Sequence, residues 1–118
     1  MKKISALLLM ITGFAFVGCA DSGSSGVDRN TKLSAATATD KTQFCDWQTE
    51  ASGGAGQKQC ADNTSVTVKT SAECVAKWPT TSSCTVGVIE DCYVSLEGDA
   101  CKLLTTTQCA AAIQCLLQ

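Results

Sequence analysis

Cys84-Thr85-Val86-Gly87-Val88-Ile89-Glu90-Asp91-Cys92-Tyr93-Val94-Ser95-Leu96 and, a short connection later, Thr105-Thr106-Thr107-Gln108-Cys109-Ala110-Ala111-Ala112-Ile113-Gln114-Cys115-Leu116 decide the fold. Ile89, Cys92, Tyr93 and Leu96 recur at helical spacing and make one apolar stripe. Cys109, Ala112, Ile113 and Leu116 repeat it. Thr85 is placed to cap the first of these helices and Gly98 to end it. Thr105 with Gln108 has the spacing of a capping box for the second. Helices joined by a short loop pack antiparallel, and facing residues of such a hairpin share a nearly constant index sum. That sum is 201 for Cys92 with Cys109 and 199 for Cys84 with Cys115. Disulfides Cys92–Cys109 and Cys84–Cys115 are therefore expected, near the middle and the open end of the hairpin.

Upstream, Thr70 and Glu73 form a second capping box, which predicts a helix from Ser71 to Trp78 ending before Pro79. Asp40 with Gln43 predicts the start of another helix. On that helix Phe44 and Trp47 share a face, and Gly53-Gly54 stops it. Residues 53–63 read as a loop. Val66 and Val68 alternate with Thr67 and Lys69, a short strand or extended segment at best. Residues 19–39, rich in Ser, Gly, Thr and Ala and without an aromatic, read as a flexible tether. Residues 1–18 are expected to be a signal peptide and residues 40–118 an eight-cysteine helical domain.

Large apolar residues are few in that domain, and small domains of this kind need covalent support. Cys45, Cys60, Cys74, Cys84, Cys92, Cys101, Cys109 and Cys115 supply it in even number. In an oxidising compartment they read as four disulfides, each contributing about 2–4 kcal/mol. The partners among Cys45, Cys60, Cys74 and Cys101 stay open. The expected fold is a small all-α, disulfide-rich domain of about four short helices with four disulfides.

Met1 to Cys19 sets the compartment. Lys2 and Lys3 precede an apolar run from Ile4 to Val17, and Phe16-Val17-Gly18-Cys19 puts a small residue directly before a cysteine. This is the layout of a signal peptide, and its last four residues resemble the lipobox of bacterial lipoproteins. The resemblance implies lipid on Cys19, removal of residues 1–18, a membrane anchor through the N-terminal lipid and, with Ala20 next, delivery to the outer membrane of a Gram-negative envelope. Phe16 departs from the leucine commonest at its position. Gly18-Cys19-Ala20 is also a small-x-small site for ordinary signal cleavage, which would release a soluble protein. The apolar run is short for a bilayer span of about 30 Å.

After loss of Lys2 and Lys3, seven basic residues face eleven acidic ones, a net charge of −4. The basic footprint of a nucleic-acid binder is missing. The chain has no histidine, so serine or cysteine catalysis through histidine and mixed Cys/His zinc sites are excluded. No Cys-x-x-Cys pair points to redox or metal chemistry, and neither metal nor cofactor is expected. Asp46 with Glu50, and Glu90 with Asp91, could in principle serve acid–base work, but a solvated charged face explains them. Gly53-Gly54-Ala55-Gly56 reads as a turn, and Trp47 and Trp78 as core. Cys115-Leu116-Leu117-Gln118 matches a prenylation box that an exported chain never presents to the cytosolic machinery. Asn63-Thr64-Ser65 is a glycosylation sequon of little weight in a bacterial lipoprotein.

Phe44-Cys45-Asp46-Trp47, Gly53-Gly54-Ala55-Gly56, Cys60, Glu73-Cys74-Val75 and the five later cysteines together resemble a group of small eight-cysteine secreted proteins numerous in predatory soil bacteria such as myxobacteria. The resemblance spans residues 40–115 and implies an architecture and a location, with no catalytic residue. The expected function is non-enzymatic: a lipid-anchored envelope protein whose stapled head binds a protein partner or serves a surface role. A secreted inhibitor or toxin-like module is the second expectation, and a thiol–disulfide redox protein the third.

Overall fold

The structure, a computed structural model, describes residues 23–118. The expected signal peptide and Cys19 lie outside the described residues. Four helices carry the fold: α1 (Ala38–Ala51), α2 (Ser71–Ala76), α3 (Val86–Ser95) and α4 (Thr107–Leu116). Between α1 and α2 runs a hairpin of β1 (Gly56–Gln59) and β2 (Ser65–Val68), antiparallel with Gly56 opposite Val68 and Gln59 opposite Ser65. Short 3₁₀ turns occupy Leu33–Ala35 and Ala100–Leu104. The domain is small, disulfide-rich and mostly helical.

The stripe on α3 does what its spacing requires. Ile89, Cys92 and Leu96 are buried against α4, which contributes Cys109 and Ala112. Cys92–Cys109 brings the two helices to 4.3 Å between Cα atoms, and Cys84–Cys115 joins the end of α4 to the residue before Thr85. These are the pairs that the index sum selects. Cys45–Cys74 locks α1 to α2, and Cys60–Cys101 ties the end of β1 to the second 3₁₀ turn.

Several boundaries differ from the expected ones. The first helix begins before Asp40. Thr37 is its N-cap, accepting from Asp40 N at 3.1 Å while Thr37 N donates to Asp40 Oδ2 at 3.0 Å, so Asp40 is the third residue of a capping box rather than its start. Thr106, not Thr105, caps α4 by accepting from Cys109 N. Thr70 caps α2 by accepting from Glu73 N, without the reciprocal Glu73 bond of a full capping box, and the helix ends at Ala76 rather than Trp78. The loop expected over residues 53–63 contains β1, whose Gln-Lys-Gln sequence has no apolar alternation and pairs only because β2 lies beside it.

Gly53 and Gly54 end α1 with two reciprocal bonds. Gly53 N donates to Glu50 O and Gly54 N to Thr49 O, the Schellman arrangement, with Gly53 at φ +88°. A Cβ on Gly53 would stand 2.6 Å from Gly98 O, so this turn also lets two loops touch.

The largest correction concerns the expected tether. From Ser25 onward that segment is packed on the domain. Val27 and Leu33 are core residues, 6% and 3% exposed. Val86 N donates to Thr31 O and Gly87 N to Arg29 O, both at 2.9 Å, and Leu33 N donates to Cys84 O at 2.8 Å. Helix starts leave unpaired N–H groups. Thr85 provides no side-chain cap, so the N-terminal segment satisfies the first donors of α3 with its own carbonyls.

Candidate functional site

Phe44 and Trp47, one turn apart on α1, begin a chain of aromatic contacts. Phe44 lies 5.5 Å from Trp47 and meets Trp78 edge-on at 5.6 Å, while Trp47 meets Tyr93 edge-on at 6.2 Å. Such tilted pairs are the favoured arrangement of aromatic rings. Trp47 and Trp78 are both buried, as their reading as core requires. Trp78 Nε1 donates to Leu33 O at 2.8 Å, so the N-terminal segment also fixes this ring.

One side of this aromatic chain opens to solvent. A cleft of about 300 Å³ lies among α1, α2, α3 and the end of α4, with Leu33, Phe44, Trp78, Ile89, Tyr93 and Leu116 as its apolar walls. That volume is at the lower end of small-molecule sites. Gln48, Lys69 and Lys77 provide its polar groups beside the Tyr93 hydroxyl. Gln48 Nε2 donates to Tyr93 Oη at 2.8 Å. Burial raises the Tyr93 pKa above the usual tyrosine value. The phenol, like that of an ordinary tyrosine, is neutral over the physiological range.

The two lysines bracket α2. Lys69 precedes its N-cap Thr70, and Lys77 is its C-cap. Lys69 O accepts from Thr49 Oγ1 of α1, and Cys45–Cys74 and a hydrogen bond from Ser71 Oγ to Asp46 hold α2 in place. The lysines thus stand on a fixed element. Among the described residues neither forms an ion pair; the three ion pairs there involve Arg29 and Lys102. Sequence reasoning did not single out these lysines, because only the packing of α2 on α1 turns them toward aromatic residues of other elements.

The carboxylates expected on a solvated face separate into different roles. Asp46, Glu50 and Asp91 are exposed, but Glu90 is fully buried. Glu90 Oε1 accepts from Ser25 N at 3.2 Å and from Ser25 Oγ, and Arg29 Nη1 donates to its other oxygen at 3.3 Å. A buried carboxylate requires such partners. Arg29 Nη2 reaches Asp91 at 2.9 Å, and the Asp91 bond and charge raise the Arg29 pKa, with Glu90 adding to the effect. This cluster is a clasp for the N-terminal segment.

The remaining expected site residues are the cysteines, and all eight are paired: Cys45–Cys74, Cys60–Cys101, Cys84–Cys115 and Cys92–Cys109. Cys45, Cys84, Cys92 and Cys109 are almost completely buried. Among the described residues no group of three or more His, Cys, Asp or Glu side chains is placed to hold a metal ion, and no helix there is long and apolar enough to cross a membrane. Comparison with protein-family models, curated proteins and solved structures gave no match. Four disulfides place the working environment of the fold outside the reducing cytoplasm.

Proposed function

We propose that this protein is a non-enzymatic, lipid-anchored component of the bacterial cell envelope whose helical head is a binding module. In this reading residues 1–18 direct export, Cys19 carries the lipid, and the outer membrane is the destination. The observation that carries it is the cysteine arithmetic. Every cysteine after Cys19 has an intramolecular partner, so Cys19 is the one thiol left for another chemistry, and it sits where a lipobox requires. The binding role is supported by the cleft: among the described residues its lining combines apolar walls with lysines and contains no carboxylate or free thiol. The head adjoins the membrane closely in this reading, because six residues from Cys19 to the buried Ser25 span at most about 20 Å.

The test is an intact mass of the natively isolated protein, with thiol alkylation before and after reduction. The expected chain begins at Cys19, carries acyl groups, takes up no alkyl group before reduction and eight after it. A chain beginning at Asp21 without lipid overturns the anchored reading in favour of a soluble effector. Two or more thiols reactive before reduction overturn the structural role of the cysteines in favour of redox exchange.

A further inference from the structure

The domain is acidic overall, yet two lysines without ion-pair partners among the described residues stand at one apolar cleft. Unpaired cations against an apolar wall fit a ligand that is itself divided, with an apolar body and an anionic end. Tyr93 adds a third polar group. Its Oη accepts from Gln48, and its own proton has no acceptor among the described residues, which leaves an O–H donor at the cleft. A tyrosine phenol is neutral at physiological pH, so that proton stays in place. Trp78 Nε1, by contrast, is occupied by Leu33 O and contributes only its ring.

We propose that the cleft binds a small monocarboxylate with an apolar tail. The tail lies against Phe44, Trp78 and Ile89, and the carboxylate is held by Lys69 and Lys77 with Tyr93 as a hydrogen-bond donor. The modest volume selects short aliphatic or aryl carboxylates over long lipids. This inference names the ligand class for the binding role proposed above and rests on that role. It does not depend on the lipid anchor.

The test uses the full chain carrying Cys19→Ala, exported in oxidised form, so that no acyl group or detergent competes. Octanoate, octanol and octyltrimethylammonium are titrated at neutral pH and low salt, with tryptophan fluorescence and calorimetry as readouts. Octanoate is expected to bind about tenfold or more tightly than octanol, and the cation more weakly than either. In Lys69→Gln/Lys77→Gln, octanoate affinity is expected to fall to that of octanol while octanol binding stays unchanged. Both lysines are exposed, and an unchanged circular dichroism spectrum checks that the fold is intact. Equal binding of the three probes, binding of none, or discrimination that survives the double substitution overturns the proposal. Those results leave the mass measurement above untouched, so failure of the ligand class is distinguishable from failure of the anchored scaffold.

Discussion

At the scale of single residues, Glu90 has the largest consequence. It is a carboxylate with no exposure, held by Ser25 and Arg29 from the other end of the chain. Replacing it by alanine strands the Ser25 donors, and a buried donor left unpaired costs about 1–3 kcal/mol. Glu90→Ala is therefore expected to lower stability by that amount in denaturant unfolding with disulfides intact, and to expose residues 23–36 to limited proteolysis. Asp91→Asn, at an exposed pair, is expected to leave the unfolding midpoint nearly unchanged. Tyr93 is the only tyrosine, so its phenolate absorbance reports one group. Burial favours its neutral form in the folded protein, which raises the folded pKa above the unfolded value near 10. This contribution to stability is fully present below about pH 10 and is lost as pH rises through the folded pKa. The absorbance midpoint is expected above 10 in the folded protein and near 10 after reduction and unfolding; coincident midpoints would count against the burial of Tyr93.

At the scale of elements, the α3–α4 hairpin was the most legible part of the chain. Apolar residues at helical spacing and cysteines at matching positions are local signals, and they mark the helices and the Cys92–Cys109 and Cys84–Cys115 pairs together. Cap register was less legible, because three consecutive threonines, Thr105 to Thr107, run into the start of α4 and composition does not say which of them is the cap. Thr106→Ala is expected to cost about 1 kcal/mol, the usual value of an N-cap. Thr105→Ala, which loses only an exposed bond to Lys102 O, is expected to have a smaller effect in the same unfolding experiment. The strand β1 and the packed N-terminal segment were not legible. Gln57-Lys58-Gln59 has no strand pattern, and Ser24-Ser25-Gly26 has the composition of a linker. Both take their structure from distant partners: β1 from β2 across a turn, and Ser25 from Glu90 at a sequence separation of 65. Gly87 records the same dependence, since a Cβ there would lie 3.1 Å from Arg29 O. Gly87→Val is expected to loosen residues 23–36 with α3 still helical, as hydrogen exchange at Gly26 to Leu33 would register.

At the scale of the whole molecule, the disulfides connect parts that lie far apart in sequence, at separations from 17 to 41 residues. The cleft was invisible in the sequence for the same reason. Phe44, Trp78, Ile89 and Leu116 come from separate elements, and α2 brings Lys69 and Lys77 to them because Cys45–Cys74 and the Thr49–Lys69 and Ser71–Asp46 bonds fix it on α1. Cys60–Cys101, with the longest sequence separation at 41, joins the β hairpin to the α3–α4 connection. Four such bridges at about 2–4 kcal/mol each rival the entire stability of an ordinary domain. The central claim is that these bridges, in this pairing, define the head. Its most direct test is a peptide map of the oxidised protein, digested without reduction and with free thiols blocked. The predicted result is Cys45–Cys74, Cys60–Cys101, Cys84–Cys115 and Cys92–Cys109 with no blocked thiol. Cys92 bonded to any residue other than Cys109, or a pair of cysteines recovered free, would contradict the hairpin and the scaffold built on it.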